Sequence, residues 1–68
     1  MQSNDTNPQI DECLSERDAA AVLAITRRGL EQLRRRGEAP PHVRVGRLIR
    51  YRRASITEWL ASREVERD

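Results

Sequence analysis

Ten arginines fall within residues 27–53 of this 68-residue chain, against two acids, Glu31 and Glu38, giving a local net charge of +8. A guanidinium is a planar fork of donors that matches phosphate oxygens and the O6/N7 edge of guanine, which a point-charge amine does less well. All 13 basic residues are arginine, with no lysine. A GC-rich coding sequence is a bland source of that bias, and its physical consequence is the same. Residues 1–26 carry a net charge of −4 and residues 54–68 a net −2, so the overall +2 conceals a concentrated positive field in the middle. Such a field is the footprint of a polyanionic partner.

Other chemistries find few residues to work with. Cys13 is the only cysteine and His42 the only histidine, so neither a disulfide framework nor a metal site is expected, and no cofactor. No nucleophile–base pair or paired buried carboxylates can be assembled, so the chain does not read as an enzyme. Cys13 is expected to fill space near the first helix, and His42 to be structural or near a phosphate. No apolar run approaches the roughly 18 residues of a membrane span. There is no basic segment followed by an apolar one at the N-terminus, so an intracellular location is expected. A chain this short buries only about 60% of the surface its unfolded state exposes, so one domain of marginal stability is the limit.

The elements that must hold the arginines follow from pattern. Residues 1–12 are polar and aperiodic and read as a disordered tail, the domain as 13–63, and 64–68 as a frayed tail. Ser15 and Asp18 resemble a capping box, with Leu14 in the staple position, ahead of a helix over about 16–23 in which Ala19, Ala20, Val22 and Leu23 are available for burial. Ala24-Ile25-Thr26 reads as a turn. Thr26 caps a second helix running to about Arg36, and Gly37 closes it. Leu30 and Leu33 fix the inward side of that helix, which leaves Arg28, Gln32 and Arg35 outward, Glu31 beside them, and Arg27, Arg34 and Arg36 on the flanks.

Pro40-Pro41 ends helical structure. Val43, Val45, Ile49 and Tyr51 alternate with Arg44 and Arg50 around Gly46-Arg47, which predicts a β-hairpin. The expected inner face is Val43, Val45, Ile49 and Tyr51, and the outer face Arg44, Leu48 and Arg50, with Arg47 at the tip. Leu48 is the apolar exception on that outer face. A last helix is expected from about Arg53 to Arg63, with Ile56, Trp59 and Leu60 on one stripe and Trp59 central in the core.

Helix, three-residue turn, helix, hairpin and helix make an α+β fold, a small winged helix-turn-helix. In such a unit the second helix lies in the major groove of DNA. The residues expected there are Arg27, Arg28, Glu31, Gln32 and Arg35: Arg28 suits guanine, Gln32 adenine, and Glu31 either a cytosine amine or a neighbouring arginine. Arg47 at the hairpin tip suits a minor groove. Thr26, Arg34, Arg36, Arg44, Arg50 and Arg52 are expected over phosphates. Five or six neutralised phosphates imply a slope of log affinity against log salt of about −5.

Two runs also carry a resemblance. Leu14-Ser15-Glu16-Arg17-Asp18-Ala19-Ala20, Leu23-Ala24-Ile25-Thr26 and Arg35-Arg36-Gly37-Glu38-Ala39-Pro40-Pro41 form the first; Val43-Arg44-Val45-Gly46-Arg47, Ile49-Arg50-Tyr51 and Ile56-Thr57-Glu58-Trp59-Leu60 form the second. Over about 14–62 the chain resembles the excisionase and AlpA-like group of small MerR-type winged-helix proteins. That resemblance implies double-stranded DNA as partner, at adjacent attachment-site repeats bound cooperatively and bent. It also implies a phage or mobile-element integrase directed toward excision, in the cytoplasm and nucleoid of a bacterial host. Leu48 on the outer wing face, with acidic ends against a basic middle, suits head-to-tail self-association of neighbouring copies on DNA. Gly29 departs from the pattern, standing where relatives usually carry Thr or Ser for a phosphate, and a glycine there costs the helix about 1 kcal/mol.

A small transcriptional regulator of the same fold is the alternative. Regulators of the MerR type usually append a long dimerising helix, and the end of this chain soon after the last helix favours a protein that assembles on DNA. A third reading is an adaptor that contacts an integrase and uses its charge for solubility alone. Membrane binding is disfavoured, because the second helix lacks a broad apolar face.

Overall fold

The computed structural model describes residues 12–65. The tails expected over 1–12 and 64–68 lie outside the described residues, apart from Glu12, Glu64 and Val65.

The elements in chain order are β1 (Cys13–Ser15), α1 (Glu16–Val22), α2 (Arg27–Arg35), β2 (Val43–Val45), β3 (Leu48–Arg52) and α3 (Arg53–Ser62). α1 starts where Ser15 accepts from the Asp18 amide through its side-chain oxygen at 3.1 Å. Thr26 does the same for α2, accepting from Gly29 N at 2.9 Å. Both helices end in the same motif. Ile25 N donates to Ala20 O and Ala24 N to Ala21 O after α1, while Glu38 N donates to Leu33 O and Gly37 N to Arg34 O after α2. These are Schellman closures, which need a left-handed residue just past the cap. Gly37 supplies it at φ 74°, but Ala24 adopts φ 61° with a β-carbon in place.

The three strands form one antiparallel sheet in the order β1-β3-β2. β1 is not expected from the sequence, in which Leu14 and Ser15 read as the staple and cap of α1 and Cys13 as space-filling. It pairs Leu14 with Tyr51 and Ser15 with Arg50. Just ahead of it, Glu12 accepts from Arg53 N through its backbone carbonyl at 2.8 Å and from Arg53 Nε through its carboxylate at 3.0 Å, tying the start of the sheet to the start of α3.

The hairpin exists, but its faces differ from expectation. Val43 pairs with Arg50, Arg44 with Ile49 and Val45 with Leu48. Opposite residues share a face, and alternate residues along a strand share it too. Val43, Val45, Leu48 and Arg50 therefore lie on one face, and Arg44, Ile49 and Tyr51 on the other. The expected inner set of Val43, Val45, Ile49 and Tyr51 has odd numbers throughout, whereas the two-residue turn at Gly46-Arg47 pairs odd with even. Gly46 has φ 62° and Arg47 does not have positive φ, which suits a II′ turn.

The core is Leu14, Ala19, Ala20, Leu30, Tyr51 and Ile56, with Leu23, Ala39 and Ile49 packed partly against it. Tyr51 takes the central place expected of Trp59, which is only half-buried, with the Arg63 guanidinium 4.5 Å from its ring centroid. α3 directs Ile56 inward, while Leu60 is exposed. Val22, available for burial by its place in α1, and Cys13, expected to fill space near that helix, are both exposed. The result is a small α+β winged helix-turn-helix, its wing widened to three strands by β1.

Candidate nucleic-acid interface

α2 is a helix with little to bury: Leu30 is its one fully buried residue and Leu33 is half-buried. Its other side carries Arg27, Arg28, Glu31, Gln32 and Arg35, which together line a single shallow concavity. These are the five residues expected at a major groove, and the structure brings them together. Residues 27, 31 and 35 form one row at a spacing of four and residues 28 and 32 the next, so both rows share one side of the helix.

Glu31 organises the first row. Its Oε2 accepts from Arg35 Nη2 at 2.9 Å, and its Oε1 lies 3.7 Å from Arg27 Nη1. Both carboxylate oxygens face arginines, which favours the orienting role over a free acceptor. Arg28 enters no ion pair among the described residues, so its fork is open for a ligand.

Arg34 departs from the set expected over phosphates. Its Nε donates to Glu16 Oε2 at 2.7 Å and its Nη2 to Oε1 at 3.4 Å, in a pair whose side chains are 18% and 13% exposed. Tyr51 also donates its hydroxyl to Glu16 Oε2, at 3.2 Å. The guanidinium turns inward because Arg34 follows Leu30 by four residues, about 40° round the helix from the side that faces the core. Burial pushes the Glu16 carboxyl up, but the hydrogen bond and charge of Arg34, with the Tyr51 hydrogen bond, hold the group below the ordinary carboxylate range. Burial and then the Glu16 charge push the Tyr51 hydroxyl up to about 12. The hydrogen bond to Glu16 raises Arg34 above its already high value. This network joins α1, α2 and β3 and sets the angle at which α2 presents its outer side.

The remaining expected contacts divide by surroundings. Thr26 accepts the α2 cap bond through its side-chain oxygen, which leaves its O–H able to donate to a phosphate. A β-carbon at Gly29 would come within 3.1 Å of that oxygen, so the glycine leaves the cap undisturbed. Arg36 shares a surface pair with Glu38 at 3.3 Å, a type of contact worth little and readily exchanged. On the wing, Arg44 and Arg47 are exposed and enter no ion pair among the described residues, and Arg50 donates to the Ile49 carbonyl at 3.0 Å. Arg52 ends β3 and stands at the N-cap of α3, where its side chain makes no capping hydrogen bond. His42 is exposed, its ring centroid 5.8 Å from that of Tyr51.

The sequence reading missed Glu16 and Tyr51 as the groups that orient α2, and it missed the exposure of Val43 and Val45. Among the described residues no group of His, Cys, Asp and Glu could hold a metal, and no helix is long and apolar enough to cross a membrane.

Comparison with known proteins adds one match. The family profile of a helix-turn-helix domain fits residues 13–64, which takes in every element of the fold. No curated protein matches the chain.

Proposed function

The chain belongs to the helix-turn-helix domain family, which indicates DNA binding, and from that premise we propose that it is a sequence-specific excisionase. In this reading α2 enters the major groove, where Arg28, Gln32 and Arg35 address base edges, while Glu31 holds Arg27 and Arg35 in place. Arg47 enters the adjacent minor groove, and Arg36, Arg44, Arg50 and Arg52 lie over phosphates. The observation that carries it is the gathering of Arg27, Arg28, Glu31, Gln32 and Arg35 on one concave, cation-rich face of a helix that buries little else.

The step from DNA binding to excision rests on the two sequence runs that resemble the excisionase and AlpA-like group. It assigns the protein to adjacent attachment-site repeats, bound cooperatively by head-to-tail copies that bend the duplex and direct an integrase toward excision. Its place is the cytoplasm, on the nucleoid. The test is a recombination reaction with a cognate integrase and attachment-site substrate, with and without the protein. Stimulated excision supports the reading. An unchanged reaction, with repression of a promoter carrying the same binding site, would favour a small transcriptional regulator instead.

A further inference from the structure

The outer face of the wing is more apolar than a purely electrostatic clamp requires. Val45 is 58% exposed, Leu48 52% and Val43 38%. Val45 and Leu48 are directly opposite one another and are the first cross-strand pair behind the Gly46-Arg47 tip. We propose that this pair is an apolar minor-groove contact, packing against the deoxyribose wall of the groove that Arg47 enters. The inference rests on the DNA-binding reading above and specifies which wing side chains meet the duplex.

The dimensions favour this placement. A B-form minor groove is about 6 Å wide, and paired strands alone lie about 4.8 Å apart before their side chains are added. The hairpin cannot enter whole. The tip side chain goes in, and the first pair behind it stops at the rim, where sugar C–H groups lie between two lines of phosphate.

Charge separates the duplex from a second copy of this chain as the occupant. Arg50 shares the face of the patch and Arg47 stands at the tip beside it, while Arg44 projects from the opposite face of the hairpin. Two wings pressed together would oppose Arg47 and Arg50, whereas a duplex offers phosphates to each of them. Three partly exposed side chains also fall well short of the roughly 800 Å² per partner that a stable protein interface buries.

The experiment is binding to short fluorescent duplexes, one A·T-rich and one G·C-rich, over a range of salt. The variants are the double substitution Val45→Thr with Leu48→Ser, the single Leu48→Ser, and the conservative Leu48→Met. Thr keeps the β-branch that suits a strand, and an unchanged melting transition verifies the fold; the single variant serves if the double one unfolds. The double variant is expected to bind about tenfold more weakly, from the apolar area it no longer buries. Its salt slope should match the wild type's because no charge is removed, and Leu48→Met should bind as the wild type does. Unchanged affinity in the double variant overturns the inference while DNA binding stands. So does a shallower salt slope, which would mean that phosphate contacts had been lost. Weaker binding that tracks a loss of self-association in DNA-free protein, seen by sedimentation, overturns it in favour of a second copy. A wild-type chain without salt-dependent duplex binding removes the underlying reading as well.

Discussion

Arg34 Nε and Glu16 Oε2 meet at 2.7 Å across 18 residues of chain, and the same oxygen accepts the Tyr51 hydroxyl. One carboxylate thus fastens the first helix of the pair to the second and both to the central strand of the wing. An arginine that by composition belongs to a nucleic-acid surface is thereby committed to holding that surface in place.

Removing one member of this network leaves the others partly buried and unsatisfied, which is the costly case. Glu16→Ala and Arg34→Ala are each expected to lower unfolding free energy by about 1–2 kcal/mol, read as a drop in urea midpoint with unchanged slope. Arg34→Ala that folds should keep the wild-type salt slope for duplex binding. A shallower slope would return Arg34 to the phosphate contacts.

The network also sets the pH range of stability. Glu16 is held below its ordinary value, so its contribution is present above about pH 4.5 and is lost as pH falls through the folded value. Tyr51 is raised from 10.0 to about 12, so its contribution is present below pH 10 and is lost as pH rises toward 12. Urea midpoints across pH should give a plateau with two falling limbs, and Glu16→Gln should flatten the acid limb.

Ala24 occupies a left-handed position at φ 61° that glycine fills without a steric penalty. Ala24→Gly is expected to raise stability by about 1 kcal/mol, because it relieves a conformation costing L-residues about 1–2 kcal/mol. Thermal or urea unfolding checks this, and a destabilised variant would contradict the account of that turn.

Glu31 places a negative charge on an otherwise cationic face, and its two arginine contacts account for its presence. Glu31→Gln should cost under about 1 kcal/mol of stability, the scale of exposed pairs at this spacing. It should tighten binding to arbitrary duplexes and reduce discrimination between sequences. Competition between a selected site and random DNA measures both; unaltered discrimination would remove Glu31 as an organiser.

Much of this architecture could be read in advance, for identifiable reasons. Thr26, Gly37, Pro40-Pro41 and Gly46 are residues whose backbone preferences act locally, so the caps, the break and the turn were legible. The outward set on α2 followed from Leu30 and Leu33 alone. What failed depended on distant partners. β1 is defined by its pairing with β3, 35 or more residues away, and nothing local in Cys13-Leu14-Ser15 announces a strand. Tyr51 displaced Trp59 from the core because β3 is central in the sheet while α3 covers one side of it with Ile56. Two features follow from spacing alone: Arg34 lies close to Leu30 on the helix, and a two-residue turn cannot place four odd-numbered residues on one face of a hairpin.

Equilibrium binding to duplex DNA as a function of salt, for the wild type, Arg28→Ala and Arg47→Ala, decides whether the α2 face and the wing tip bind DNA as proposed. The expected result is a wild-type slope of log affinity against log salt of about −5, a slope shallower by about 0.9 for Arg47→Ala, and a loss of about 1–3 kcal/mol for Arg28→Ala confined to its preferred sequence. A wild-type slope near zero, or variants that bind with the same affinity and slope as the wild type, would contradict it.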